Sequence, residues 1–394
     1  MSRRLDAEIA VVGGGMVGAA AALALAHAGF GVMLLEAGAP PSPPGPETDL
    51  RVVALAPSSA RLLADLGVWA QLDPARLCAY RAMHVWDAAG GAALDFDAAL
   101  LDAQTLGWIA ENRLLQWTLW QALEAAGVRL RAHAPVDACR DAGGHATLAP
   151  GDGDALRVRL VLAADGRDSP LRGAAGIGVG GRDYGQSAVV AHLRSERPHR
   201  HTAWQRFLDS GPLALLPLAD GRVSLVWSLP RSQAQRVLDL DDDAFARAVG
   251  VASDFRLGTL TPDSPHAAFP LRLALAHRFA APRLALLGDA AHAVHPLAGQ
   301  GVNLGLRDVR ELVQVLREAR TRGADPGAPA VLARYARRRR SMDAFDAYSF
   351  DALERVFRLR AAPLVAARAL GMGLIQRSPP LKRLLARHAA GWPA

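Results

Sequence analysis

The chain has 394 residues, 51% of them hydrophobic, with 45 Lys plus Arg against 38 Asp plus Glu and a formal net charge of +7. That length can bury one large core or two interleaved ones, and two distant cysteines, Cys78 and Cys139, argue against a disulfide framework and a thiolate metal site. The positive balance does not make a nucleic-acid binder: arginine dominates, lysine is nearly absent, and no recognition module accompanies the one basic cluster, "RYARRRRS" from Arg334 to Ser341.

In chain order, Ile9 to Val12 is apolar and β-branched, Met16 to Ala28 has the composition of a packed helix, and Val32 to Leu35 is a second apolar run. This predicts a βαβ unit on a parallel sheet. Between strand and helix stand Gly13, Gly15 and Gly18, spaced G-x-G-x-x-G, with Glu36 closing the next strand. The glycines permit a tight turn, close approach of a pyrophosphate to a helix N-terminus, and close helix–sheet packing. Glu36 can accept from ribose hydroxyls and would repel a 2′-phosphate, so the site suits FAD or NAD rather than NADP. The N-terminus, "MSRRLDAEIAVVGGG", runs almost directly into this strand with no secretory segment, and no uncharged apolar run approaches the roughly 20 residues of a bilayer span. The expectation is a soluble, cytoplasmic protein.

A proline-rich loop follows from Ala37 to Asp49, then a helical period from Arg51 to Trp69 and two short strands around a glycine turn from Tyr80 to Phe96. Glu111 to Ala126 reads as a helix and Leu156 to Ala164 as an apolar strand. "GIGVGG", Gly176 to Gly181, lacks a strand leading into a helix and reads as a loop. Tyr184 to Pro230 is strand-rich, with a hairpin turning at Asp220-Gly221. After Leu306 the chain reads as helix to its end. α/β signals therefore flank an antiparallel β insertion.

The stretch from Ala285 to Asp308, "ALLGDAAHAVHPLAGQGVNLGLRD", decides between the two dinucleotides. An NAD dehydrogenase needs no second strand end with an acid leading into a glycine-rich helix start. FAD does, because its ribityl chain and ring extend beyond the first βαβ unit. Gly288-Asp289 can accept from ribityl or pyrophosphate groups, and Pro296 stiffens the loop against the ring. Gly299, Gln300, Gly301, Val302 and Asn303 present backbone N–H groups that stabilise negative charge on reduced flavin. His292 and His295 flank this loop. No partner is spaced for a metal, and His295 reads first as a packing residue, with a proton relay as the alternative role.

Three motifs together resemble the class A, single-component FAD-dependent aromatic hydroxylases: "GGGMVG" (Gly13 to Gly18), "ADGRDSPLR" (Ala164 to Arg172) and "GDAAHAVHPLAGQGVNLG" (Gly288 to Gly305). "HPLAGQGVNLG", "DYGQSAVVAHL" (Asp183 to Leu193) and "GPLALLPL" (Gly211 to Leu218) are similar to the ubiquinone-biosynthesis branch. The resemblance implies a Rossmann-like α/β FAD-binding domain with an inserted, mainly antiparallel β substrate domain and a helical C-terminal region, as in p-hydroxybenzoate hydroxylase. The expected division is 1–75, 100–180 and 268–335 for FAD, 76–99 and 181–267 for substrate, and 336–394 for the C-terminal helices.

By position the resemblance also implies flavin contacts from Arg51, Asn112, Arg113, Asp165 and Asp289. The chemistry it implies is monooxygenation: NAD(P)H, a transient donor, reduces the flavin, O₂ adds at flavin C4a, and oxygen passes to the ring of a polyprenylated phenol. Phe207, Leu215 and Trp227 are the expected apolar wall of the substrate site. Two rivals share the fold: a flavin-dependent prenyl reductase and a non-catalytic FAD-binding subunit of a biosynthetic complex. The basic, amphipathic C-terminal helices read either as a cap on the FAD domain or as a docking surface for the inner membrane or partner enzymes. The reading leaves room for a homo-oligomer and assigns no metal and no nucleic acid.

Overall fold

The computed structural model describes residues 5–151, 153–293, 301–359 and 361–391, with the backbone alone between 340 and 354. Strand Ala7–Val12 forms the middle of a parallel sheet, flanked by Val32–Leu35 on one side and Leu156–Ala163 on the other. Leu284–Leu286 and Arg129–Arg131 extend it. Val32–Leu35, Leu284–Leu286 and the stretches Ile9 to Val12 and Leu160 to Ala163 are uninterrupted apolar runs because they are buried on both faces. Helix Met16–His27, whose Ala/Leu surface is buried along most of its length, packs against the first two strands. A two-stranded flap, Val136–Asp141 and Ala146–Pro150, pairs antiparallel onto Leu156–Ala163.

The register sets the site. Val12 pairs with both Leu35 and Ala163, and Ala163 pairs with Leu286. Four strand ends are therefore level, and Gly13, Glu36, Ala164-Asp165 and Leu287-Gly288 leave the sheet along one carboxyl edge. Loops separated by more than a hundred residues meet there because parallel strands place all their carboxyl ends on the same side.

A second sheet, of nine strands among the described residues, is antiparallel there except where Ala82–Asp87 pairs parallel with Thr202–Leu208. The expected hairpin is Gly211–Pro217 with Val223–Pro230, turning through Gly221 at φ +90°. Its longest strand, Val179–Ser195, includes the last three residues of the stretch read as a loop, Val179 to Gly181. Pairing with Ala267–Ala276 imposes strand there despite two glycines. The helical period expected from Arg51 also begins later. Val52–Leu55 is a strand, and the helix is Pro57–Asp65, opened by its proline. Local β-branching at Val52-Val53 and pairing with Gly107–Glu111 won over the period of the leucines that follow.

Gly301–Thr321, Pro329–Arg358, Ala362–Arg377 and Pro379–Ala389 form the helical remainder. Pro363 lies in the first turn of its helix, where a missing N–H costs nothing. Among the described residues no helix is long and apolar enough to cross a membrane.

Candidate active site

Gly13 has φ +103°, and a Cβ there would lie 2.2 Å from the Ala164 carbonyl oxygen. A Cβ on Gly18 would lie 1.9 Å from the Gly13 oxygen, so helix and turn approach as closely as glycine allows. Gly15, at the helix start, faces open space. The loop is braced from behind: the Gly14 carbonyl accepts from Trp120 Nε1 at 2.8 Å and Gln116 Nε2 at 3.0 Å. Glu36 Oε2 accepts from the Gly14 N–H at 2.6 Å and Oε1 from the Gly38 N–H at 2.8 Å. Each of its oxygens retains capacity for a ribose hydroxyl. Trp120 and Gln116 escaped the sequence reading because, on an amphipathic helix, they look like core and surface respectively.

A cleft of about 400 Å³ opens at this edge, lined by Gly15, Arg51, Asn112, Gly166, Asp289 and Gly301. Its opposite wall is the antiparallel sheet. Asn112 Oδ1, at the cleft, and Asp165 Oδ1, between the lining residues Ala164 and Gly166, are buried oxygens with no hydrogen-bond partner among the described residues. Buried polar atoms are seldom left so unless a ligand meets them. Asp165 Oδ2 accepts from the Leu171 N–H at 3.2 Å. Burial pushes the Asp165 carboxyl up against the hydrogen bonds from Ser169 and Leu171. The Asp289 side chain opens into the cleft but is otherwise enclosed by protein, and that enclosure pushes its carboxyl up while His292, Arg167 and Arg51 pull it down. Among the described residues a Cβ on Gly301 would also meet nothing within 4 Å, so the start of Gly301–Thr321 is open to them as well. Two open helix starts, unpaired acceptors and a cleft that joins them fit a bound FAD.

The other expected site residues are less uniform. Arg51 lines the cleft with its guanidinium 5.3 Å from the Phe269 ring centre. Arg113 is exposed and outside that lining, and its backbone N–H donates to Asp49 Oδ2 at 3.1 Å. Gly288, at φ +56°, begins the turn that carries Asp289. Val302 lines the cleft, whereas the Asn303 side chain is fully buried and committed elsewhere. Its Nδ2 donates to the Ala54 oxygen at 2.7 Å, and its Oδ1 accepts from the Ala56 N–H at 2.9 Å and Ser59 Oγ at 2.7 Å. It staples the helix start to the neighbouring strand. His295, Pro296, Gly299 and Gln300 lie outside the described residues.

The expected substrate wall needs correction. Leu215 and Trp227 point away from the cleft, into a core with Ala234, Phe245 and Val249 of two helices covering the sheet's far face. Phe207 is stacked on Phe357 with ring centres 3.9 Å apart and is not part of the cleft lining. The cleft wall is made by the alternate residues Ala214, Leu216, Ser224 and Val226, with Ala188 and Val190 on the neighbouring strand. Both faces of this sheet are apolar, so hydrophobicity alone does not fix which phase faces the cofactor.

An FAD-type α/β unit and an antiparallel sheet sharing one cleft define the flavin monooxygenase architecture. The chain matches the FAD binding domain family over residues 6–344. The structure of p-nitrophenol 4-monooxygenase from Pseudomonas putida superposes with a TM-score of 0.77 at 19% identity, covering 99% of both chains, a likeness of fold. The chain is 40% identical to ubiquinone hydroxylase UbiL of Rhodospirillum rubrum, covering 98% of this chain and 90% of that one. It is 39% identical to 3-demethoxyubiquinol 3-hydroxylase of Escherichia coli, covering 98% of each. The chain belongs to the FAD-dependent hydroxylases of ubiquinone biosynthesis.

Proposed function

We propose that this protein inserts one atom of O₂ into the aromatic ring of a polyprenylated phenol, with NAD(P)H as transient electron donor and water as the other product. The observation that carries this reading is the single cleft joining the dinucleotide loops to an apolar sheet face. Bound FAD supplies the reduction and activation of O₂. The chain's own groups do the rest. Gly13, Gly15 and Gly18 would admit the pyrophosphate, and Glu36 would accept from the ribose. Asn112, Asp165 and Asp289 would offer acceptors to the cofactor's hydroxyl groups, and the backbone N–H groups of Gly301 and Val302 would donate to it at the helix start. Ala188, Val190, Ala214, Leu216 and Val226 exclude water and hold the phenol. In this division of labour the parallel sheet serves FAD and the antiparallel sheet the substrate.

A lipid-tailed substrate also calls for a docking face. Helix Ala362–Arg377 leaves Leu364, Leu370 and Leu374 exposed, and Pro379–Ala389 leaves Leu381, Leu384 and Leu385 exposed. From Arg355 to Ala394 the sequence has eight Lys or Arg and no Asp or Glu. An apolar face within a wholly basic segment matches an anionic phospholipid surface. A symmetric dimer through the same face would set like charges against each other. We therefore assign the protein to the periphery of a membrane.

The deciding experiment follows NAD(P)H oxidation by purified holoprotein, with hydrogen peroxide and product measured with and without a quinone-precursor phenol. Substrate-stimulated oxidation giving hydroxylated product and little peroxide is expected. Oxidation that no precursor phenol stimulates, or anaerobic reduction of a prenyl alkene, would overturn the reading.

A further inference from the structure

One member of the basic run is not on the surface. Arg339, from helix Pro329–Arg358, is 1% exposed, and its Nε donates to Asp308 Oδ1 at 2.7 Å. Asp308, on helix Gly301–Thr321, is fully buried. Its other oxygen, Oδ2, accepts from His292 Nε2 at 2.7 Å and from the backbone N–H of Gly288 at 2.9 Å. Gly288 begins the turn that presents Asp289 to the cleft, and His292 closes that turn on its other side. One carboxylate therefore ties together both sides of the turn, the helix that opens at the cleft, and the first helix of the C-terminal region.

The need for such a tie follows from the turn itself. Gly288 sits at φ +56° with its α-carbon beside Val17 and Gly305, and a Cβ there would lie 3.2 Å from Val17 Cγ1. Its N–H, buried away from water, requires an acceptor, and no strand partner remains at this point because pairing ends at Leu286. A carboxylate in that position requires compensating donors, which Arg339 and His292 provide.

We propose that Arg339, Asp308 and His292 are positioning residues of the flavin site: they fix the Gly288-Asp289 turn, so the C-terminal region completes the FAD-binding cleft. The inference rests on the FAD site proposed above, and it concerns residues that do not touch the cofactor. It also gives one arginine of the run a buried structural purpose that composition could not reveal.

The test is FAD affinity, read by quenching of flavin fluorescence on titrating apoprotein, in a double-mutant cycle. Arg339→Gln should weaken FAD binding at least tenfold while far-ultraviolet circular dichroism and a cooperative melt persist. In an Asp289→Ala background the same substitution should cost less than threefold, because the turn no longer delivers a carboxylate. Should Arg339→Gln fail to fold, His292→Gln, which leaves no buried charge unpaired in exchange, should weaken FAD binding in the same Asp289-dependent way. Binding within twofold of wild type in a folded variant, or equal losses with and without Asp289, would overturn the proposal. Wild-type apoprotein that binds no FAD would instead refute the underlying site.

Discussion

At the scale of single residues, the glycine loop shows how little freedom the cofactor site has. Gly13→Ala would force a side chain to φ +103° and against a backbone oxygen 2.2 Å away. The conformational strain alone costs about 1–3 kcal/mol, and the clash with Ala164 has no flexible atom to absorb it. Purified Gly13→Ala protein should be colourless, with the 450-nm-region flavin absorbance of wild type absent and FAD not recovered on reconstitution. Asp308 supplies a second prediction. Burial would raise its carboxyl, but the opposing charges of His292 and Arg339 prevail and hold it below the usual carboxylate range. A group whose folded-state pKa is depressed stabilises the fold above its unfolded value, near 4, and loses that contribution as pH falls through the lower folded value. Melting temperature should therefore fall steeply below about pH 4 in wild type. In Asp308→Asn it should start lower and change less over the same acid window.

At the scale of elements, the antiparallel hairpin Gly211–Pro217 and Val223–Pro230 separates two functions by strand parity alone. Leu215 is fully buried on the far face, with Phe245 and Val249 against that side. Leu215→Ala should cost about 2–5 kcal/mol of stability and leave KM for a phenol substrate within a factor of a few at a temperature where the protein stays folded. Val226, one residue from Leu225 and on the cleft face, should behave in the opposite way. Val226→Phe should leave the melting temperature within a few degrees and raise KM for bulky phenols more than for small ones. Equal effects of the two variants on KM and on melting would contradict the assigned phase of the strands. The same element scale explains why Phe207 is covered: its face is the right one, but Phe357 of the helix Pro329–Arg358 lies over it.

For the molecule as a whole, the C-terminal helices link several parts. Arg368 Nε donates to Asp87 Oδ2 at 2.7 Å on the antiparallel sheet, and the Ala390 oxygen accepts from the Ser58 N–H at 3.3 Å beside the parallel-sheet unit. Pinned at both ends, these helices present their leucines outward. Leu370→Glu with Leu374→Glu should abolish flotation with vesicles of phosphatidylcholine and phosphatidylglycerol, while turnover of a short-tailed, water-soluble phenol stays unchanged. Wild-type protein should float with anionic vesicles, less so in high salt and not with pure phosphatidylcholine. Wild type that stays unbound yet hydroxylates the soluble phenol would remove the membrane assignment and leave the hydroxylase standing.

Much of the molecule was legible in the order of residues because the signals were local. Gly13-x-Gly15-x-x-Gly18 needs only neighbouring atoms to be a tight turn, Val32–Leu35 is apolar whatever surrounds it, and the hairpin at Asp220-Gly221 is determined by its own turn. The same holds for Asp289 and Gly301, whose acid-then-glycine sequence marks a strand end and a helix start. Tertiary structure decided what depends on distant partners. It set the level register that gathers four loops at one sheet edge. It chose which parity of the antiparallel strands meets the cleft, because both faces of that sheet are apolar and the packing of Phe245 and Val249 takes the far set away, while Phe357 covers Phe207 on the cleft-parity face. It also turned Asn303 and Arg339 inward as a staple and an anchor, since a polar side chain's worth depends on which donors and acceptors the fold brings within 3 Å.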